Sequence, residues 1–144
     1  MQRSAEAQWR GDLKSGAGTI STASGTLSQT PYSFHSRFEQ GKGTNPEELL
    51  AAAHAACFTM AFSFACDAAG FATAAVDTKA AVRLVMKGGG FSIEHIALTL
   101  EASVPGIDAE TFQKIAAKAK ADCPLSKALA SVPEISLSAV LKSS

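Results

Sequence analysis

Apolar positions along this chain recur with two different periods, and each change of period marks the edge of an element. Ala5 to Arg10 alternate Ala, Glu, Ala, Gln, Trp, Arg, the period of two expected of a half-exposed strand ending at Gly11-Asp12. An antiparallel meander is predicted next, because Gly11, Gly16, Gly18 and Gly25 punctuate short Ser/Thr-rich pieces, and Pro31 to Phe38 reads as a further strand before the Gly41-Lys42-Gly43 turn. Thr44-Asn45-Pro46-Glu47-Glu48 then supplies a capping residue, a proline at the first helical position and acids in the first turn. A long helix is expected from there, with Gly70 as its stop. Beyond it the period of two returns, with Val82, Leu84 and Met86 on one face and Arg83 and Lys87 on the other. Gly88-Gly89-Gly90 turns the chain into a second strand whose inward phase slips between Phe91/Ile93 and Ile96/Leu98/Leu100, the mark of a β-bulge near Glu94 and His95. Asp108 caps a second helix with an inner stripe of Phe112, Ile115, Ala116 and Ala119, Pro124 opens a short third helix, and Ile135, Leu137 and Ala139 form a last strand. No internal repeat or low-complexity linker interrupts this order. It predicts an α+β fold, mainly antiparallel, in a single domain over residues 1–144.

The stretch from Leu49 to Cys66 is apolar all round, as a central buried helix would be. It approaches the length of the shortest membrane spans, but it is built largely of alanine, carries His54, Thr59 and Ser63, and runs into Asp67, so no membrane span is expected. Charged residues make up only 18% of the chain against 47% hydrophobic, which suggests that part of the surface is covered by a second copy. Thirteen basic and thirteen acidic residues cancel without forming a block, leaving no electrostatic footprint for nucleic acid or an anionic membrane. Met1 to Arg10 has no apolar signal region, so a cytoplasmic address is expected, in which three cysteines are free thiols at rest.

Those cysteines carry the candidate chemistry. Cys57 sits in the apolar helix, where burial raises a thiol pKa unless a cation compensates, and it lies too far from Pro46 for the helix dipole to help. Residue types alone leave it open whether Cys57 is structural or reactive. Cys123, with Pro124 behind it, is placed at a helix N-cap, where free N–H groups favour a sulfur anion. Cys66 is nine residues after Cys57 and therefore on the opposite side of the helix, unable to pair with it or share a metal. No short Cys/His spacing suggests zinc, and no metal or bound cofactor is expected. His54, one turn before Cys57, reads as a hydrogen-bonded core residue with a direct role left open; His35 and His95 read as surface or packing residues on strands.

The runs Arg37-Phe38-Glu39, Gly43 through Phe58, Val104 through Asp108 and Ala121-Asp122-Cys123-Pro124 resemble the OsmC/Ohr family over nearly the whole chain. Asn-Pro-Glu-Glu-Leu, with a cysteine ten residues after its first Glu, is the specific part of the match. The resemblance implies an intertwined homodimer and a thiol-dependent peroxidase of organic hydroperoxides. It implies Cys57 as nucleophile, Cys123 as resolving thiol, and Arg37 and Glu47 completing the site, with an external dithiol, a dihydrolipoyl protein rather than thioredoxin, resetting the enzyme. Phe58 and Met60, with Phe34 and Phe38, are expected either to favour alkyl or aryl peroxides or simply to pack. Ten helical positions hold Glu47 about 15 Å from Cys57 along one straight helix, so Arg37 and Glu47 are expected to reach Cys57 from the second subunit. The competing expectation is an apolar-ligand-binding, redox-sensing protein without turnover.

Overall fold

A computed structural model describes residues 1–143, in two compact units, Met1–Leu49 and the remainder from Leu50. In the first unit β1 (Ala5–Arg10), β2 (Ala17–Thr22) and β3 (Thr30–Tyr32) form an antiparallel meander in the order β1-β2-β3. Asp12 accepts the amides of Lys14 and Ser15, each at 2.9 Å, and so closes the first turn. Here the chain departs from its predicted pattern. The strand expected over Pro31 to Phe38 ends at Tyr32, and Phe34–Phe38 forms a short helix, α1, so His35 is helical and pairs with Glu39 at 2.6 Å. A reciprocal cap decides this: the Ser36 amide donates to the Ser33 hydroxyl at 3.1 Å, while the Ser33 amide donates to the Ser36 hydroxyl at 2.9 Å. Ser36 also donates to the Thr44 carbonyl at 2.8 Å, and the Phe34 and Phe38 rings meet one turn apart at 4.9 Å.

The long helix α2 spans Pro46–Ala68. It starts where the proline and the Asn45 cap require, with the Asn45 side chain accepting the Glu48 amide at 2.9 Å. It ends in a paired C-terminal lock: the Phe71 amide reaches the Cys66 carbonyl at 2.9 Å and the Gly70 amide reaches Asp67 at 3.0 Å, with Gly70 at φ 85°. Within the second unit, β4 (Ala75–Lys87) and β5 (Gly90–Ser103) form a long antiparallel hairpin. Arg83 pairs with His95 but Leu84 with Ile93, so Glu94 is the bulged residue, as the phase slip in the sequence predicted. After α3 (Ala109–Asp122) and α4 (Pro124–Ala128), β6 (Glu134–Leu141) returns parallel to β5, giving the order β4-β5-β6. The predicted α+β architecture is therefore the observed one.

The core of this unit is a single seam. His54, Phe58, Phe62 and Cys66 recur every fourth residue and are the buried residues of α2. Phe58, Phe62 and Cys66 pack with Leu98, Leu100 and Ala102 of β5 and with Phe112, Ala116 and Ala119 of α3. Phe62 and Phe112 meet edge to face at 5.6 Å. Although α2 is long and apolar enough to cross a membrane, this stripe gives it the role of a core helix. Its burial within the chain stops at the stripe: Met60 and Phe64 are 75% and 76% exposed.

Because a side chain at Gly70 meets nothing within 4 Å, a substitution there is opposed by backbone conformation alone. Gly70→Ala is expected to lower the unfolding free energy by about 1 kcal/mol, read as a lower urea midpoint with an unchanged slope.

Candidate active site

Cys57 on α2 and Cys123 at the junction of α3 and α4 bring their sulfurs to 3.3 Å, both as free thiols. Cys57 lies one turn after the buried His54 and half-emerges from α2. Cys123 is fully buried at the junction of two helices, closing α3 through its amide to Ala119 at 2.9 Å and standing at the N-cap of α4, with Pro124 in the first turn. The sequence-predicted N-cap placement of Cys123 is thus the observed one.

Their electrostatics diverge. Burial pushes the Cys57 thiol up, as does the neighbouring Cys123 sulfur, and the Leu125 amide opposes this without overcoming it. Burial acts on Cys123 too, but the amides of Ser126 and Leu125, the Ser126 hydroxyl and Cys57 together hold it below its ordinary value. Cys66 is enclosed in the core, raised by burial and then by the Asp67 charge, as befits a packing thiol.

Beside Cys57 opens an apolar groove of about 730 Å³, lined by Met60, Ala61, Phe64, Ile115 and Pro124 among others. Met60 is where a lining residue was expected; Phe58 is not, being wholly enclosed in the core. In the first unit, Arg37 and Glu47 form a close fork, Nη2 to Oε1 at 2.8 Å and Nε to the two carboxylate oxygens at 3.2 and 3.3 Å. The guanidinium also stands 5.1 Å from the centre of the Phe38 ring. The four residues singled out in the sequence therefore fall into two formed pairs, thiol with thiol and guanidinium with carboxylate. No group of three or more His, Cys, Asp or Glu converges among the described residues in a way that could hold a metal ion.

One contact was invisible in the sequence. His54 is fully buried and its Nε2 lies 2.9 Å from the Ser126 hydroxyl, 72 positions away, while its Nδ1 is buried without a partner. The only local hint is Ser126 three residues after an N-cap, the spacing at which a side chain can reach back to the cap. His95, by contrast, bonds the Ser136 hydroxyl at 2.7 Å on the neighbouring strand and serves packing.

The family model described as OsmC-like protein matches residues 39–138, spanning the groove and both thiols. The chain belongs to the OsmC/Ohr family. It is 53% identical over 143 residues to Peroxiredoxin OsmC of Escherichia coli K12, covering 99% of each chain. An Organic hydroperoxide resistance protein of Xanthomonas axonopodis pv. citri is 37% identical over 89 residues, 61% of each chain. Among solved structures, an organic hydroperoxide resistance protein from Elizabethkingia anophelis superposes with a TM-score of 0.72 at 26% identity, over 99% of both chains. The Arg37–Glu47 fork straddles the edge of the matched segment, with Glu47 inside it and Arg37 just before it.

In this OsmC/Ohr member the buried imidazole has a measurable signature. Burial holds His54 below the ordinary 6.5, so as pH falls the unfolded chain takes up this proton before the folded one does. The stability associated with the neutral ring is complete above pH 6.5 and is lost progressively below it. Thermal midpoints measured from pH 8 down to pH 5 are expected to fall in the parent protein, and His54→Gln is expected to flatten that limb whatever its effect at pH 8.

Proposed function

We propose that this protein is a thiol-dependent peroxidase that reduces organic hydroperoxides to alcohols through a Cys57 sulfenic acid and a Cys57–Cys123 disulfide. The observation that carries the reading is the 3.3 Å approach of the two sulfurs at the mouth of an apolar groove. The names of the relatives, a peroxiredoxin and organic hydroperoxide resistance proteins, support the same chemistry. The Cys57 thiolate attacks the terminal oxygen of R–O–O–H, the O–O bond breaks, and R–O⁻ takes a proton to leave as the alcohol. Cys123 then attacks the Cys57 sulfenic acid, forming the disulfide and expelling water. A dithiol, for which a dihydrolipoyl protein is the candidate, reduces that disulfide and leaves as a cyclic disulfide. The groove beside Cys57 suits the organic part of the peroxide.

This chemistry requires an ionised Cys57, and within the chain both its burial and Cys123 work against ionisation. The compensating cation in this reading is Arg37, its plane fixed by the fork to Glu47. It comes from the second subunit of a homodimer, because Glu47 and Cys57 stand ten positions apart on one helix, about 15 Å. The exposed Met60 and Phe64 on α2 supply apolar surface for such an interface. The protein is read as a single OsmC-like domain working in the cytoplasm.

The size and apolar lining of the groove also favour a second reading, a redox-sensing protein that holds an apolar ligand without turnover. Binding of such a ligand that persists in Cys57→Ser, with no peroxide consumed by the parent protein, would establish it.

With cumene hydroperoxide and dihydrolipoamide, Cys57→Ser is expected to abolish peroxide consumption, Cys123→Ser to stop after about one equivalent, and Cys66→Ser to change little. Steady-state rates that survive in Cys57→Ser would refute the peroxidase reading. Co-expression of a Cys57→Ser subunit with an Arg37→Ala subunit distinguishes the origin of the guanidinium. A site shared between subunits leaves one intact site per mixed dimer and about half the parental activity, whereas a site built within one subunit leaves none intact.

A further inference from the structure

The buried stripe of α2 contains one residue that packing alone does not explain. His54, Phe58, Phe62 and Cys66 are its buried members, and His54 brings into that apolar seam a ring whose Nδ1 has no partner. Enclosing a polar nitrogen without a hydrogen bond is unfavourable, and a phenyl ring like the next two on the stripe avoids that cost. What the imidazole adds is a single contact, Nε2 to the Ser126 hydroxyl at 2.9 Å. With the proton on Nε2 the core encloses a bare lone pair rather than an orphaned N–H, so His54 is the donor and Ser126 the acceptor. This contact has a close neighbour. Three residues after His54 stands Cys57, three residues before Ser126 stands Cys123, and their sulfurs lie 3.3 Å apart. Each step covers about one helical turn. On α4 the Lys127 amide reaches the Cys123 carbonyl at 3.0 Å, so Cys123 and Ser126 belong to the same hydrogen-bonded turn. The same two segments therefore meet twice, side by side within the second unit, once through a hydrogen bond and once through the thiol pair.

We infer that His54 and Ser126 form a positioning latch that holds the single turn of α4 against α2, keeping the Cys123 sulfur within reach of Cys57 and favouring the Cys57–Cys123 disulfide. The inference deepens the peroxidase reading and rests on it for its biological use. Of the two elements α2 is the fixed one, packed along its stripe against β5 and α3. α4 is five residues long and contributes no buried side chain, so its placement rests on Cys123 at its start, the part-buried Leu125 and the Ser126 bond. Closing the disulfide takes the sulfurs from 3.3 Å to about 2.0 Å, which requires that α4 keep presenting Cys123 to Cys57. Neither His54 nor Ser126 reacts. Their bond acts through the turn of α2 between His54 and Cys57 and the turn of α4 between Cys123 and Ser126. In the oxidative step the Cys123 thiol attacks the Cys57 sulfenic acid, the S–S bond forms, and the hydroxyl leaves as water with the Cys123 proton. In the reductive step two electrons and two protons pass from the dithiol to the two cysteines, and the dithiol closes to a cyclic disulfide. Without the latch, α4 of the reduced protein gains freedom that disulfide formation must remove. The effective concentration of one thiol at the other then falls, and the equilibrium moves toward the dithiol form.

The test reads the thiol–disulfide equilibrium directly. Fully reduced protein and protein oxidised with diamide are each brought to equilibrium, at fixed neutral pH, across a series of dihydrolipoamide/lipoamide ratios, and the disulfide fraction is measured after alkylation. Ser126→Ala is expected to lower the equilibrium constant for the disulfide about five-fold or more, while Ser126→Thr, which keeps the hydroxyl, stays within about two-fold of the parent. His54→Phe is expected to match Ser126→Ala, and His54→Gln, whose side-chain amide replaces the Nε2 donor, to stay near the parent. Combining His54→Phe with Ser126→Ala is expected to cost no more than either alone, because one bond is removed only once. A bond that merely stabilises the fold weakens both redox forms alike and leaves this constant unmoved. A parental constant in Ser126→Ala, or single effects that multiply in the double variant, would overturn the latch. Should His54→Phe fail to fold, the comparison of Ser126→Ala with Ser126→Thr decides by itself. Absence of peroxide consumption by the parent protein would remove the peroxidase reading, while the lipoamide equilibrium would still judge the latch.

Discussion

Phe58, Phe62 and Cys66 descend α2 at four-residue intervals to pack against β5 and α3, and the placement of Cys57 depends on that seam. A helix locked in rotation by buried aromatic rings has no freedom to turn its neighbours. With Phe58 facing the core, Cys57 is carried to the border between core and groove, half-buried, where it meets Cys123 on one side and open apolar space on the other. The same rotation drives His54 completely inside. One packing constraint thus sets the exposure of the sulfur, the burial of the imidazole and the side on which the apolar groove opens beside Cys57.

Cys123 is placed by a different device. It ends one helix and starts another, so backbone hydrogen bonds fix its position from both sides, in addition to its packing in the core. That geometry turns the amides of α4 toward its sulfur and separates the two thiols electrostatically: the half-exposed one is held protonated and the buried one is biased toward the anion. The inversion is informative. Exposure alone would rank the two thiols the other way; the amides of α4, the Cys57 thiol and the Ser126 hydroxyl around Cys123 reverse the order. A nucleophilic Cys57 consequently needs charge from outside its immediate surroundings, which is why the Arg37–Glu47 fork matters to the peroxidase reading.

Much of this architecture is written in short stretches of sequence. Asn45-Pro46 and Gly70 bound α2, Asp108 caps α3, the phase slip around Glu94 and His95 locates the bulge, and Cys123-Pro124 marks a helix start; each is settled by atoms within a few residues of one another. The α+β class and the stripe on α3 are legible for the same reason. The strand read over Pro31 to Phe38 gives way to a helical turn after Tyr32 because the choice falls to Ser33, Ser36 and the carbonyl of Thr44.

Sequence by itself determined where elements begin and end, which faces are apolar, and which residue types are available for thiol chemistry, since these follow from local sterics and side-chain periodicity. Tertiary structure alone decided what those faces meet: that β6 runs parallel to β5, that sulfurs 66 positions apart approach to 3.3 Å, and that a histidine and a serine 72 positions apart meet at 2.9 Å. Periodicity says that a side chain must be buried, but the identity of its neighbour is fixed only when separate elements are packed together at full density.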